Sequence, residues 1–207
     1  MVTIVDYGVG NLFSLKSSLA FLGEQAQVTG DPEVIASAER ILLPGVGAFG
    51  DAADKLRSLG LDTLLRQRAQ AGVPIMGICL GMQMLLQGSE EYGYHEGLGM
   101  IPGTVKPIRD VIPEDLKIPH IGWNALQFPG EKHPIFRHIK EGDHVYFVHS
   151  FYGADCGDAV IAATEYGAPL TAAVGKGNVV GCQFHPEKSG SVGLAILRGF
   201  CEWEGSV

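Results

Sequence analysis

Short apolar runs rich in Val, Ile and Leu alternate with amphipathic stretches through the first part of the chain. "TIVDYG", "QAQVTG", "RILLPG" and "VPIMGIC" read as strands, and "NLFSLKSSLAFLG", "DPEVIASAE" and "AFGDAADKLRSLG" as the helices between them. Continuously apolar strands separated by helices predict a parallel sheet covered on both faces, with right-handed crossovers. After about Gly97 the rhythm changes to glycine-punctuated strand candidates with little helix between them: "MIPGTVKPI", "IGWNALQF", "HVYFVHSFYG", "AVIAATEYG", "LTAAVGKG" and "VVGCQFHP". This predicts a mixed, partly antiparallel extension. A last helix, "SVGLAILRGFCEW", has Val192, Leu194, Ala195, Ile196, Leu197 and Phe200 for an apolar face and Ser189 or Ser191 as a cap. The expectation is an α/β fold, a mainly parallel central sheet flanked by helices with an antiparallel extension, formed by one domain over 1–207.

Composition narrows the function. A chain of 207 residues with 46% hydrophobic and 18% charged residues has the make-up of one packed core rather than of disorder. The net charge of -8, with Lys and Arg scattered, offers no electrostatic footprint for nucleic acid or an anionic membrane. Apolar runs such as "IMGICLGMQMLL" fall short of the roughly 20 residues that span a bilayer, and "MVTIVDYGVG" lacks a signal pattern, so a cytoplasmic protein is expected. Cys79, Cys156, Cys182 and Cys201 are far apart without CxxC or Cys/His spacing, so neither a metal site nor a disulfide framework is indicated. "DYGVGN" lacks the third glycine of a dinucleotide loop and the lysine of a P-loop, and reads as a tight turn.

The candidate chemistry begins at Cys79. Gly77-Ile78-Cys79-Leu80-Gly81 has the form of a strand-to-helix elbow, in which small flanking residues hold a nucleophile outward at the carboxyl end of a strand. A helix start there favours thiolate over thiol. A buried thiol filling a core is the competing reading, but glycines two residues away on both sides would leave volume unfilled. A thiol nucleophile needs a base and a group that orients it. "GCQFHPEKSG" places His185 and Glu187 two apart, and Pro186 biases His185 towards extended geometry, so carboxylate and imidazole project to one side. Alone, this triplet reads equally as a solvated turn. Pro44, Gly45, Val46 and Gly47 close another apolar strand, and glycines flanking Val46 let the backbone approach a ligand and rotate its peptides, although an ordinary Pro-Gly turn has the same composition. Met76, Met82 and Met84 and the other three cysteines read as core. His120, His133, His138 and His144 have no partner at informative spacing.

Together "GICLGMQ", "HPEKSG" and "PGVGAF" strongly resemble the class I, triad-type glutamine amidotransferases, whose fold is flavodoxin-like. "VDYGVGNL", "PHIGWN" and "VYFVHSF" resemble the branch of that family whose members hand ammonia to a separate cyclase subunit in histidine biosynthesis, and the likeness runs essentially full length. The resemblance implies that Cys79 attacks the side-chain amide of L-glutamine, His185 shuttles the proton and Glu187 orients the ring. It implies an oxyanion hole at Leu80 and at Val46 with Gly47, and glutamine recognition by Gln83, Glu91, Pro44, Gly45 and the backbone of His149, Ser150 and Phe151. A peptide at Val46 that turns to present its N–H is the expected switch, biased by the partner's substrate. The implied partner is the cyclase subunit, in a heterodimer docked on Asn11, Trp123, Asn124, Tyr146 and Lys188; no cofactor, metal, nucleic acid or membrane is implied. The alternatives are the glutaminase of another ammonia-channelling enzyme, such as pyridoxal phosphate synthase, or an inert regulatory subunit; "PHIGWN" argues for the first reading.

Overall fold

A computed structural model describes residues 1–205; the last two positions of the expected 1–207 domain lie outside the described residues. The chain runs β1 (Val2–Val5), α1 (Leu12–Phe21), β2 (Ala26–Thr29), α2 (Pro32–Ala36), β3 (Ile41–Gly45), α3 (Phe49–Ser58), α4 (Leu61–Gln70), β4 (Ile75–Cys79) and α5 (Leu80–Leu85). It continues with β5 (Gly88–Ser89), β6 (His95–Glu96), β7 (Thr104–Pro107), β8 (His120–Ala125), β9 (His144–His149), β10 (Phe151–Ala154), β11 (Val160–Glu165), β12 (Pro169–Lys176), β13 (Val179–Cys182) and α6 (Gly190–Glu202). A seven-stranded sheet in the order β11-β12-β13-β4-β3-β1-β2 forms the centre. Strands β13, β4, β3, β1 and β2 are mutually parallel, and β12 and β11 extend the β13 edge antiparallel. The expected α/β class therefore holds.

Period-two alternation divides the apolar strands between two cores. Ile41, Leu43 and Ile75 face Leu56, Leu65 and Leu85 on α3, α4 and α5, whereas Leu42, Met76 and Ile78 face Leu15 and Leu19 on α1 and Ile196, Leu197 and Phe200 on α6. Met76, Met82 and Met84 are buried, as read. Asp31 caps α2 by accepting the N–H of Glu33 at 2.9 Å, ahead of Pro32 at the first helical position.

Three details depart from the sequence reading. Helix α4, "LDTLLRQRAQ", is an element the sequence reading does not include; Gly60, left-handed at φ 68°, separates it from α3. The later strands are not one extension, since β10-β7-β5-β6 form a separate four-stranded sheet and β8-β9 a separate ribbon. "HVYFVHSFYG" accordingly breaks at Ser150 into two strands in different sheets. Neither serine caps α6 through its side chain: the Ser189 hydroxyl donates to the His185 carbonyl at 2.7 Å and accepts the N–H of Tyr146 at 2.9 Å, tying the triad segment to β9 instead.

Candidate active site

The carboxyl ends of β3 and β4 lie side by side, with Gly45 registered against Cys79. The chain turns there directly into α5, and Cys79 sits at φ 55°, ψ −112°, a left-handed conformation that costs a non-glycine residue energy. Crowding explains the flanking glycines. A Cβ at Gly77 would stand 2.5 Å from the Gly81 carbonyl oxygen, and one at Gly81 would stand 1.8 Å from that of Leu43. The elbow closes only without side chains at these two places. Cys79 keeps 9% exposure at the floor of a cavity of about 470 Å³.

His185 and Glu187 reach the same point from the turn after β13. His185 Nδ1 donates to Glu187 Oε1 at 2.9 Å, with both side chains buried, and the His185 backbone N–H is held by the Tyr146 carbonyl at 3.0 Å. Burial would depress the His185 imidazolium, but the neighbouring Cys79 sulfur and the Glu187 carboxylate lift its pKa to about 9. The other oxygen, Glu187 Oε2, has no hydrogen-bond partner among the described residues. Sulfur, imidazole and carboxylate thus converge in one continuous arrangement.

The cavity wall comprises Val46, Gly47, Leu80, Gln83, Glu91, His149, Ser150, Phe151, His185 and Lys188 from the sequence reading, together with Tyr92, Pro119 and Val148, which it missed. Glu91 arrives from the segment after β5, and its Oε2 accepts the N–H of Phe49 at the start of α3 at 2.7 Å, a positively polarised helix end. Pro44 and Gly45 do not line this cavity. They are buried in β3 and border a smaller pocket behind the triad with Asn11, His185 and Glu187, because the strand turns its wall towards the cavity only at Val46. Over Gly45 lies the buried Tyr7 hydroxyl, which has no partner among the described residues; burial first, and then the nearby Cys79, push its pKa up.

Hydrogen bonding brings in two further residues. Gln183, fully buried, donates through Nε2 to Cys79 Sγ at 3.7 Å and accepts from Gln83 Nε2 at 3.0 Å. His120, to which no chemistry was assigned, is registered against His149 across β8 and β9, and its Nδ1 lies 3.0 Å from His149 Nε2. Period-two reading of "PHIGWN" would have placed His120 and Asn124 together on the inner face. Burial lowers the basicity of both histidines, that of His149 to about 3.

On the outer face of the same ribbon Trp123 is 53% exposed and meets the Tyr146 ring edge-on at 6.0 Å, while Lys188 Nζ lies 5.8 Å from the centre of that ring. Asn124 does not join them. Adjacent strand residues face opposite ways, and both ends of its amide are engaged internally, Oδ1 at 2.9 Å from His120 Nε2 and Nδ2 donating to the Glu165 carbonyl at 2.9 Å. Among the described residues no group of three or more His, Cys, Asp or Glu is placed to hold a metal. No helix of these residues is long and apolar enough to cross a membrane.

A thiol at a strand-to-helix elbow, backed by a histidine and a carboxylate, is the arrangement of a nucleophilic acyl-transfer enzyme, and comparison with known proteins gives the class. The family model for glutamine amidotransferase class-I matches residues 3–202, and the chain belongs to that family of glutamine-hydrolysing enzymes. More particularly, it is 45% identical to imidazole glycerol phosphate synthase subunit HisH of Listeria monocytogenes serotype 4b (strain CLIP80459) over 203 residues, covering 98% of this chain and 95% of that one. The HisH subunit of Syntrophotalea carbinolica (strain DSM 2380 / NBRC 103641 / GraBd1) is likewise 45% identical over 204 residues, covering 97% and 98%. Among solved structures, the fold is similar to a glutamine amidotransferase crystal structure (TM-score 0.76, 22% identity, 99% and 100% coverage) and to PurLQS from Thermotoga maritima (TM-score 0.75, 21% identity, 97% and 96% coverage).

Proposed function

We propose that this chain is the glutaminase subunit of an imidazole glycerol phosphate synthase, hydrolysing L-glutamine and passing ammonia to a cyclase subunit bound to it as a heterodimer in the cytoplasm. The cyclase then makes imidazole glycerol phosphate and AICAR in histidine biosynthesis. The observation that carries the chemistry is the convergence of Cys79 and a buried His185 on one cavity, with Glu187 hydrogen-bonded to the far side of that ring at 2.9 Å. Identity of 45% to HisH subunits over nearly the whole chain supports this partner over other ammonia-channelling systems.

The Cys79 thiolate adds to the carboxamide carbon of glutamine, and the oxyanion faces the backbone at Leu80 and at Val46 and Gly47. His185 gives its Nε2 proton to the leaving nitrogen, the C–N bond breaks and ammonia departs, leaving a γ-glutamyl thioester. Water then loses a proton to His185 as its oxygen adds, and the C–S pair returns to sulfur, releasing glutamate. Glu187 holds the ring and balances its charge throughout. Gln83, Glu91 and the backbone of His149, Ser150 and Phe151 bind glutamine, with Glu91 Oε1 left for the α-ammonium because Oε2 is held by Phe49. Pro44 and Gly45 shape the strand behind the oxyanion site.

Trp123, Tyr146 and Lys188, with Asn11 near the triad's rear pocket, form the docking face. An exposed aromatic anchor beside a cation is what interface hot spots commonly use. Gly47, at φ 102°, lets the peptide at Val46 rotate when the partner's substrate is bound. Glutamate release measured with and without a purified cyclase and its ribonucleotide substrate tests the reading: release should rise when both are present, and equal rates would contradict the switch. No glutamate release under any of these conditions would overturn the function.

A further inference from the structure

We propose that Gln183 is a further catalytic residue, its side-chain amide donating to the nucleophilic sulfur while fixing the orientation of Gln83 at the substrate cavity. This inference rests on the glutaminase reading. Gln183 follows β13 between Cys182 and Phe184, a fully buried amide among apolar neighbours. Its own backbone N–H is held by the Ala172 carbonyl at 2.8 Å, which fixes where the side chain starts. An amide buried here carries a desolvation cost that a leucine would not, so its hydrogen bonds must be worth keeping.

Those bonds have one consistent direction. The Phe151 carbonyl can only accept, and it takes one N–H of Gln83 at 3.3 Å as well as the Nδ1–H of His149 at 2.8 Å. The NH₂ group of Gln83 therefore points into the protein, where it also donates to Gln183 Oε1 at 3.0 Å. Gln83 is left with Oε1 as its free polar atom on the cavity side. With its oxygen engaged, Gln183 must turn its NH₂ towards Cys79 Sγ, at 3.7 Å. Reversing either amide would set oxygen against oxygen or leave the sulfur facing a second acceptor.

A donor at that sulfur acts when sulfur carries charge. It favours the thiolate before attack. It acts again in hydrolysis of the thioester, as the C–S bond breaks and the electron pair returns to sulfur. The same amide, through its oxygen, joins the Phe151 carbonyl in fixing which atom Gln83 presents to glutamine. One side chain thus serves both the reacting atom and substrate orientation.

The test compares Gln183→Glu and Gln183→Leu with the wild type in the cyclase complex, measuring kcat and KM for glutamine at pH 8 and the rate of Cys79 alkylation by iodoacetamide. Gln183→Glu keeps the acceptor for Gln83 but sets a carboxylate against the sulfur, so kcat and alkylation should each fall by roughly tenfold or more while KM stays within about twofold. Gln183→Leu removes both contacts, so KM should rise several-fold while alkylation falls less than in Gln183→Glu. A packing role would give the opposite ranking, with the isosteric Gln183→Glu milder in every measurement. Wild-type alkylation rates in Gln183→Glu, or a wild-type KM in Gln183→Leu, would overturn the inference. Should the wild type release no glutamate, the glutaminase reading fails by itself, and the alkylation ranking still decides the contact with sulfur.

Discussion

His149 and His185 stand on the same cavity, both buried, and their basicities move in opposite directions. Around His149 burial dominates and holds the pKa near 3, since the hydrogen bond to the Phe151 carbonyl only partly offsets it and the charges of His120 and His185 oppose a further proton. Around His185 the same desolvation is outweighed by the sulfur and the carboxylate, and the pKa rises to about 9. Burial therefore does not assign a role. The charge of the neighbours sets them apart, leaving His149 a neutral donor to the Phe151 carbonyl and favouring the proton on His185.

Removing that neighbour should have the largest effect. Glu187→Gln leaves an isosteric partner without the charge, so His185 should fall towards the behaviour of His149 and glutamate release should drop roughly 10² to 10⁴-fold. Steady-state assay of glutamate checks this, and a loss of less than tenfold would remove Glu187 from the mechanism.

Stability against pH should show the two rings pulling opposite ways. The folded pKa of His185 lies above the ordinary value near 6.5, so its contribution is full below about pH 6.5 and is lost as pH rises through about 9. His149 is depressed, so its contribution is full above about pH 6.5 and is lost as pH falls towards 3. Urea unfolding across pH should fall on both sides by an amount on the order of 1 to 3 kcal/mol. His185→Gln should flatten the alkaline limb and His149→Gln the acid one.

The partner of His149 supplies a finer distinction. His120 is stacked between Phe147 at 5.0 Å and Tyr166 at 4.0 Å, so His120→Phe keeps the stacking and deletes the hydrogen bond to His149. A loss of about 1 to 2 kcal/mol in urea unfolding is expected, with glutamate release changed less than tenfold. The smallest effect on stability belongs to the outer face of the ribbon. Trp123→Ala should alter unfolding by less than about 0.5 kcal/mol yet weaken cyclase binding tenfold or more in a titration, whereas Asn124→Ala should cost stability and leave binding alone.

How much of this was legible in sequence follows from the range of the forces involved. The parallel strands, the elbow and the His-Pro-Glu pair are local, because period, glycine spacing and proline act within a few residues of where they are read. Glycines 77 and 81 announce the crowding that the Leu43 carbonyl imposes, even though that carbonyl comes from another strand. Long-range pairing was not legible. Gln183 meets Cys79 across 104 positions, and His120 meets His149 across 29, through strand register that no single stretch specifies. The misplacement of Asn124 had a local remedy, since it neighbours Trp123 on a strand and must face the other way. The resemblance implies substrate contact at Pro44 and Gly45, whereas the wall of the cavity begins at Val46.

Whether Cys79 is the activated thiol is decided by intact-mass analysis after treatment with a glutamine-analogue alkylator. All four cysteines are free, so each could react in principle. One adduct per chain on Cys79, blocked by excess glutamine and absent from Cys79→Ala, is the predicted result. Adducts spread over Cys156, Cys182 or Cys201, or none that glutamine prevents, would show that Cys79 is not the activated thiol.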